Sequence, residues 1–265
     1  MATRGNSYAL AMVLNCSKFP RELRSGEIAA IVERVRQDGV GIIESAFDLT
    51  DVEESRRIVQ DHKHLMKSTR PSPTSRHLAG FHRYPALEPV HQLITGNSLV
   101  RAVIGDLLGS DIRTIGLSDI TMNRSQQWHK DLLRGSFRRF IEDENPCEKH
   151  HSKLFKVVLY MQDSSSLHVV PGSHRHDISL ESDEYAVPDA DAEVVSVKTK
   201  VGDAVVIDIC TTHRGSPEEV FASMTEADTP RMLISTVFGS AYCDFADRIE
   251  LGNAERTSVW QRMNR

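Results

Sequence analysis

The feature that most constrains the fold is a series of short apolar segments in the second half of the chain, with no predicted helix between them. These segments are rich in Val, Ile and Leu and are bounded by Gly, Pro, Asp and Ser, which is typical of β-strands. They cover residues 112–122, 154–161, 167–170, 194–198, 204–209 and 231–238. Parallel strands need long crossover connections, usually helices, so this series favours an antiparallel sandwich or barrel.

The first third of the chain has a different periodicity and predicts helices. Ser25 is a suitable N-cap, and apolar residues follow it at helical spacing until Asp38-Gly39 ends the pattern. A strand is predicted at 40–43, followed by helices at 50–66 and 89–108.

A polar segment, residues 68–86, separates the last two predicted helices. Its prolines at 71, 73 and 85 predict a loop without regular structure. Neither a repeat nor a Gly/Ser linker divides the chain, so its 265 residues predict a single domain. Residues 1–110 form a mainly helical front, 111–240 the β-core and 241–265 a C-terminal tail. The fold class expected is mainly β with flanking helices.

Charge and cysteine content limit the partners and the cellular location that can be expected. The net charge is −5, with 32 Lys+Arg against 37 Asp+Glu, which argues against a nucleic-acid partner. The four cysteines form no Cys-x-x-Cys pair, so neither a disulfide framework nor a thiolate zinc site is expected. The apolar run at 9–14 is too short for a membrane span or a signal-peptide core and is interpreted as an opening strand. A cytoplasmic protein without a membrane partner is expected.

The segment from Gln127 to Asp131 contains the first candidate for chemistry. Residues two apart on a strand face the same side, so His129 and Asp131 are predicted to converge, with Gln127 beside them. One imidazole and one carboxylate are two thirds of the facial triad of non-haem iron(II) oxygenases. A His-x-Asp pair is weak evidence alone, because a surface histidine near an acid gives the same pattern.

Two later residues are candidates for completing this site. His213 follows the apolar strand 204–209, at the expected mouth of the β-core, although a turn histidine would look the same. Arg231 opens a mostly apolar strand, where a cation needs a partner. A dicarboxylate cosubstrate would provide one through a two-pronged contact, as would an acid of the protein itself.

The order of these segments, together with the run Val169-Val-Pro-Gly-Ser-His174, resembles the phytanoyl-CoA dioxygenase-like family of iron(II)/2-oxoglutarate oxygenases. The resemblance covers roughly residues 39–240 and implies a double-stranded β-helix, or jelly-roll, core. It also implies iron(II) bound by His129, Asp131 and His213, with 2-oxoglutarate and dioxygen as cosubstrates. Arg231, and less directly Gln127, would then bind 2-oxoglutarate.

One spacing departs from the family pattern. Arg231 lies eighteen residues after His213, a longer separation than the family usually shows. Residues 217–228 have the composition of a loop insertion, which would account for the difference. Arg214 is nearer but directly follows the ligand, so its side chain is expected to point away. The residues 174–176, His-Arg-His, are expected to be structural or exposed.

The implied reaction is oxidation of a C–H bond, by default hydroxylation, with succinate and carbon dioxide as co-products. Two polar segments, 68–86 and 133–151, are candidate lids, and Arg76 and Arg83 in the first are candidate contacts for a small polar substrate. Two other functions remain open: a cupin-like metal-dependent isomerase or hydrolase that uses no 2-oxoglutarate, and a non-catalytic binding module. The sequence predicts neither the substrate nor the oligomeric state.

Overall fold

The computed structural model describes residues 25–131, 135–176 and 188–262, so the predicted opening strand at 9–14 lies outside the described residues. The helices are α1 Ser25–Asp38, α2 Leu49–Asp61, α3 Glu88–Thr95, α4 Ser98–Leu108, α5 Pro146–His150, α6 Glu219–Ala222 and α7 Asp244–Arg262. The strands are β1 Val40–Ile43, β2 Lys67–Ser68, β3 Arg76–Ala79, β4 Ile112–Met122, β5 Leu154–Tyr160, β6 Ser164–Val169, β7 Val195–Thr199, β8 Ala204–Asp208, β9 His213–Arg214 and β10 Met232–Ser240. Short 3-10 helices cover Lys63–Leu65, Phe81–Arg83, Pro85–Leu87, Gly135–Phe140 and Ser173–Arg175.

The strands form two antiparallel sheets. The larger sheet has seven strands in the order β1-β8-β5-β10-β4-β3-β2, and the smaller has the order β7-β6-β9. Neighbours in space are mostly distant in sequence, as in the jelly-roll topology expected from the resemblance. The prediction of a mainly antiparallel β-fold with flanking helices is confirmed.

Alternation along β5 shows how the larger sheet separates two environments. Phe155, Val157 and Leu159 face the main apolar core, which they share with helices α1 to α4. Val158 and Tyr160 point to the opposite face, into the apolar cluster between the two sheets. Because successive side chains of a strand point to opposite faces, one side of this sheet supports the helices while the other is available to the site.

Gly39 joins the helical layer to the sheet. It ends α1 with a left-handed backbone, φ +79°, and a Cβ placed there would lie 2.3 Å from Oγ1 of Thr211. That conformation and that space favour glycine. The chain then enters β1, whose Val40 pairs with Ile207 of β8.

Several boundaries differ from the predictions. The helix predicted over 50–66 ends at Asp61, and the helix predicted over 89–108 is divided near Asn97. The side chain of Asn97 accepts a bond from the Val100 backbone N–H and thereby caps α4 as a new helix. The 68–86 segment is not a structureless loop, since β3 pairs with β4 there. The segment after 240 contains the 19-residue helix α7.

None of the helices in the described parts of the chain combines the length and the apolar composition that crossing a membrane requires.

Candidate metal and cosubstrate site

Three buried side chains, His129, Asp131 and His213, lie together between the sheets. Each offers a ligand atom, and all of these atoms are within 4.8 Å of one another. Nε2 of His129 is 3.5 Å from Asp131 Oδ1, and Nε2 of His213 is 4.0 Å from Asp131 Oδ2. Two ligands of one ion bound at about 2.1 Å lie roughly 3 Å apart, so small side-chain adjustments would seat an ion.

Backbone pairing brings the two histidines together. The amide of His129 donates to the carbonyl of His213, and the amide of His213 donates back to His129, both at 2.9 Å. The imidazole centroids are consequently 4.1 Å apart. His213 is also paired with Val169 of β6, so backbone pairing holds the distal histidine on both sides.

The Nδ1 atoms of both imidazoles face backbone oxygens, which defines the tautomer. Nδ1 of His129 lies 2.8 Å from the Gln127 carbonyl, and Nδ1 of His213 lies 2.8 Å from the Thr211 carbonyl. A carbonyl accepts only, so each Nδ1 carries the proton and each Nε2 presents a lone pair to the cluster. Burial lowers the pKa of His213 to about 3, with the neighbouring His129 adding to the effect. The ring is therefore neutral, as a metal ligand must be.

Asp131 is held as a carboxylate. Burial alone would raise its pKa, but Lys156 and the two histidines outweigh burial and hold the pKa well below its usual range. Nζ of Lys156 donates to Oδ2 at 2.7 Å. Two imidazoles and one ionised carboxylate on one side of a cavity are the donor set that iron(II) accepts in facial-triad enzymes, so these residues fit the metal.

Lys130, the middle residue of the His-x-Asp motif, points away from the cluster. It is 1% exposed, and its ammonium donates to the carbonyls of Ser173 and Cys210. Ser173 belongs to the Val-Pro-Gly-Ser-His run, and Cys210 precedes His213 by three residues. One buried cation therefore ties together the three segments from which the resemblance was inferred.

The cluster adjoins a cleft of about 890 Å³, including its open mouth. Lys156, Tyr160 and His213 line this cleft together with Arg231. Within the described part of the chain, the guanidinium of Arg231 has no hydrogen-bonded or ion-paired acid. Burial raises the pKa of Tyr160 to about 12, against the opposing influence of Ser166 and Arg231, so the phenol stays protonated.

Arg214 does not share this position. Its guanidinium carbon lies 5.1 Å from the centre of the Trp128 ring, and the residue is not part of the cleft lining. His213 and Arg214 are adjacent on β9, so their side chains diverge, as the sequence predicted. Of the two arginines, the structure brings Arg231 to the cleft.

The predicted role of Gln127 is not supported by its placement. Gln127 is exposed, whereas the side-chain nitrogen of Gln126 lies 2.7 Å from His129 Nε2. The prediction assumed regular strand alternation, but this segment is not a regular strand. Its backbone pairs at two separate points, Gln126 with Gly215 and Ser216, and His129 with His213 in an isolated bridge. Irregular backbone before that bridge turns Gln126 inward instead.

Arg76 and Arg83, the candidate substrate contacts, also lie elsewhere. Arg76 bonds the Pro73 carbonyl and pairs with Glu226. Arg83 bonds the Gly80 carbonyl and lines a separate groove beside α7. No described residue of 68–86 or 133–151 lines the main cleft.

Sequence reasoning missed the residues that line the cleft from distant strands. Lys156 and Tyr160 come from β5, Phe221 comes from α6 inside the supposed loop insertion, and Arg124 follows β4. A signal existed for Lys156, since it is the only charged residue in the seven residues of β5. An ion in an otherwise apolar strand calls for a partner, and that partner is Asp131.

Comparisons with known proteins identify the family. The family model for phytanoyl-CoA dioxygenase (PhyH) matches residues 25–219, and the chain belongs to this family. The resemblance inferred from the motifs is confirmed. Arg231 lies beyond the matched residues, so its role rests on the structure. No curated protein matches the sequence.

Three solved structures illustrate the shared fold. The α-ketoglutarate-dependent epimerase SnoN from nogalamycin biosynthesis is 17% identical, with a TM-score of 0.62 over 84% of this chain and 89% of its own. The carbocyclase SnoK from the same biosynthesis is 18% identical, with a TM-score of 0.60 over 80% and 83%. HygX from Streptomyces hygroscopicus, solved with nickel, 2-oxoglutarate and hygromycin B, is 15% identical, with a TM-score of 0.58 over 80% and 87%. At these identities the likeness establishes the double-stranded β-helix core.

Proposed function

We propose that this protein is an iron(II)- and 2-oxoglutarate-dependent oxygenase that oxidises a C–H bond of a small, polar metabolite or natural-product intermediate. The observation that carries the proposal is the convergence of His129, Asp131 and His213, whose ligand atoms lie within 4.8 Å of one another beside an open cleft. Family membership supports it independently.

The three clustered residues would hold the metal from one side. Their Nδ1 bonds to backbone carbonyls keep both imidazoles oriented, and Lys156 binds one oxygen of Asp131 and so holds the carboxylate in place. With 2-oxoglutarate and dioxygen, iron(II) bound here would supply the oxidising power, with succinate and carbon dioxide as co-products.

Arg231 would bind the distal carboxylate of 2-oxoglutarate. It lines the same cleft as His213, and a guanidinium matches a carboxylate with two parallel N–H donors. The neutral phenol of Tyr160, opposite Leu233 on the neighbouring strand, is a second donor near this position. Tyr160 is on β5 and Arg231 directly precedes β10, so both are positioned by the regular sheet, which holds a ligand more exactly than loops do.

Hydroxylation is the default outcome, and the same residues would serve other oxidations. SnoN is described as an epimerase and SnoK as a carbocyclase, both α-ketoglutarate dependent. These descriptions, and the hygromycin B bound in the HygX structure, favour a natural-product intermediate as substrate. The outcome depends on where the cleft places the substrate carbon.

The first test is an anaerobic titration of the purified protein with iron(II) and then 2-oxoglutarate. A weak charge-transfer band at about 500–530 nm, formed only when both are present, is expected for a facial-triad site with open positions. The band should be lost in His129→Ala and retained in His64→Ala, a variant of an exposed histidine. If the folded protein binds iron and shows no band, the cupin-like isomerase or hydrolase becomes the better hypothesis.

A further inference from the structure

The chain between the distal histidine ligand and Arg231 forms a loop, residues 217–230, whose two ends are held at one place. At its start, the amide of Gln126 donates to the carbonyl of Ser216 at 3.1 Å. At its end, the amide of Arg231 donates to Oδ1 of Asn123 at 2.8 Å, and the Asn123 amide donates back to the Arg231 carbonyl at 2.9 Å. Asn123 and Gln126 are three residues apart, so both ends meet the same short segment. This closed shape is that of an Ω-loop, a type of loop that is frequently functional.

Phe221 is the one buried residue of this loop, every residue of which the structure describes. It is 3% exposed and lines the main cleft together with Arg231. Phe221 belongs to none of the three apolar clusters into which the described core residues are grouped. The aromatic ring is therefore part of the wall of the cleft and not part of the core.

Ion pairs at the surface hold the outer part of the loop. Glu226 pairs with Lys63 and with Arg76, whose Nη2 lies 3.4 Å from Oε1 of Glu226. The Glu226 side chain is 60% exposed, and exposed ion pairs contribute little to stability. Segments with few buried apolar contacts open locally at low cost in free energy. Opening of this loop would remove Phe221 from the cleft and break these two ion pairs, while the sheets stay intact.

We propose that the 217–230 loop is a lid of the main cleft and that Phe221, its closing side chain, packs against the ligand that Arg231 binds. This inference rests on the proposed function and concerns how the same site is closed. Because Arg231 directly follows the loop, an anion bound by its guanidinium would favour the closed position. Closure by an apolar ring excludes water, which strengthens the charge interactions inside the cleft.

Chymotrypsin tests the opening of the loop, because it takes an aromatic side chain into its specificity pocket and cuts after it. A cut after Phe221 requires the ring to leave the cleft. Tyr242, which is 85% exposed, is a second aromatic site and the internal control. Glu226→Gln should increase the rate of the cut after Phe221 about threefold and leave the cut after Tyr242 unchanged. Glu219→Gln, which removes another exposed acid of the same loop, should behave as the wild-type protein.

Bound ligand should keep the loop closed. Manganese(II) with 2-oxoglutarate, at roughly 100 times the Kd, should slow the cut after Phe221 about tenfold or more, again without an effect at Tyr242. Phe221→Ala should raise the dissociation rate constant of 2-oxoglutarate about tenfold, whereas the apolar Phe221→Leu should retain much of the wild-type value. Stopped-flow formation of the charge-transfer band in iron(II)-loaded protein, at several 2-oxoglutarate concentrations, gives this rate constant.

Three results would overturn the inference. The first is an equal rate of the cut after Phe221 in Glu226→Gln and Glu219→Gln, and the second is an unchanged rate when 2-oxoglutarate is bound. The third is a wild-type dissociation rate constant in Phe221→Ala. Failure of 2-oxoglutarate to bind the wild-type protein would instead overturn the proposed function. The comparison of the two glutamate variants needs no ligand, so it would still decide whether the loop opens.

Discussion

The ammonium of Lys130 donates a hydrogen bond to the carbonyl of Cys210 and so connects the two segments that carry the candidate metal ligands. Lys130 stands between His129 and Asp131, and Cys210 lies three residues before His213. A second bond to Ser173 adds the turn of the Val-Pro-Gly-Ser-His run. The separation of the ligands therefore depends on a buried cation that does not belong to the ligand set.

Replacing Lys130 by Met should weaken metal binding without changing any ligand. Loss of the ammonium removes the charged donor from two carbonyls, those of Ser173 and Cys210. Outer partners of metal ligands typically affect affinity by about 10–100-fold. Manganese(II) binding measured by calorimetry on folded Lys130→Met should therefore weaken by about tenfold or more. Lys198→Met, at an exposed position of β7, is the matched control. Equal affinity in both variants would show that the Lys130 bonds do not position the ligands.

The strong periodicities of the chain were enough to predict much of the fold. Strand 112–122 and the helix from Ser25 to Asp38 have the predicted bounds, because each has clear end signals and an unbroken pattern. α7 was missed because only the start of its buried face is apolar: Phe245 and Ile249 are followed there by Gly252, Asn253 and Thr257. The helix is buried because it packs against β4, and a contact between elements so distant in sequence cannot be predicted from the local pattern.

Within the site, the sequence predicted which residues would cluster but not all of their neighbours. His129, Asp131 and His213 come together as expected. Gln126 rather than Gln127 faces the cluster, because the irregular backbone there does not follow strand alternation. The Lys156 contact with Asp131 spans 25 residues and depends on strand order, which local pattern does not determine.

Arg231 and Arg214 should differ sharply in their effect on cosubstrate binding. Arg231→Gln removes the cleft guanidinium and should raise the Kd for 2-oxoglutarate by about 100-fold, with metal affinity nearly unchanged. Arg214→Gln removes a cation stacked near Trp128 and should change that Kd only slightly. The intensity of the charge-transfer band against 2-oxoglutarate concentration gives both values. A larger loss in Arg214→Gln would reassign the cosubstrate arginine.

Arg56, in the helical layer, should stabilise the backbone around Arg231. From α2 it donates to the carbonyls of Met161 and Pro230, at 2.8 and 2.7 Å, and Pro230 directly precedes Arg231. Arg56→Met leaves both carbonyls without this charged donor and should lower the free energy of unfolding by roughly 2–4 kcal/mol. It should also weaken 2-oxoglutarate binding, because the start of β10 loses an anchor.

Its neighbour Arg57 provides the comparison for that experiment. Arg57 is exposed and pairs only with Glu54 and Asp61 on the same helix. Exposed pairs of this kind contribute little, so Arg57→Gln should unfold at the same urea concentration as the wild-type protein. Equal midpoints for Arg56→Met and Arg57→Gln would show that the Arg56 bonds do not stabilise the fold.

Asp119 should make a pH-dependent contribution to stability. Arg256 and His77 depress its pKa in the folded protein, whereas in the unfolded chain it returns to about 3.9. Above about pH 4 the carboxylate is ionised in both states, and its full stabilisation is present. As the pH falls below that value the unfolded state takes up a proton first, so the stabilisation declines until the folded pKa is passed.

Asp119→Asn isolates this contribution, because other titrating groups are common to both proteins. At pH 7 the variant should be less stable by roughly 2–3 kcal/mol, since Arg256 loses its charged partner in a largely buried site. Urea unfolding at a series of pH values should show the gap between wild type and variant narrowing below about pH 4. A gap that stays constant from pH 7 to pH 3 would mean that the Asp119 pKa is not depressed by folding, and that its charge is not compensated by Arg256 and His77.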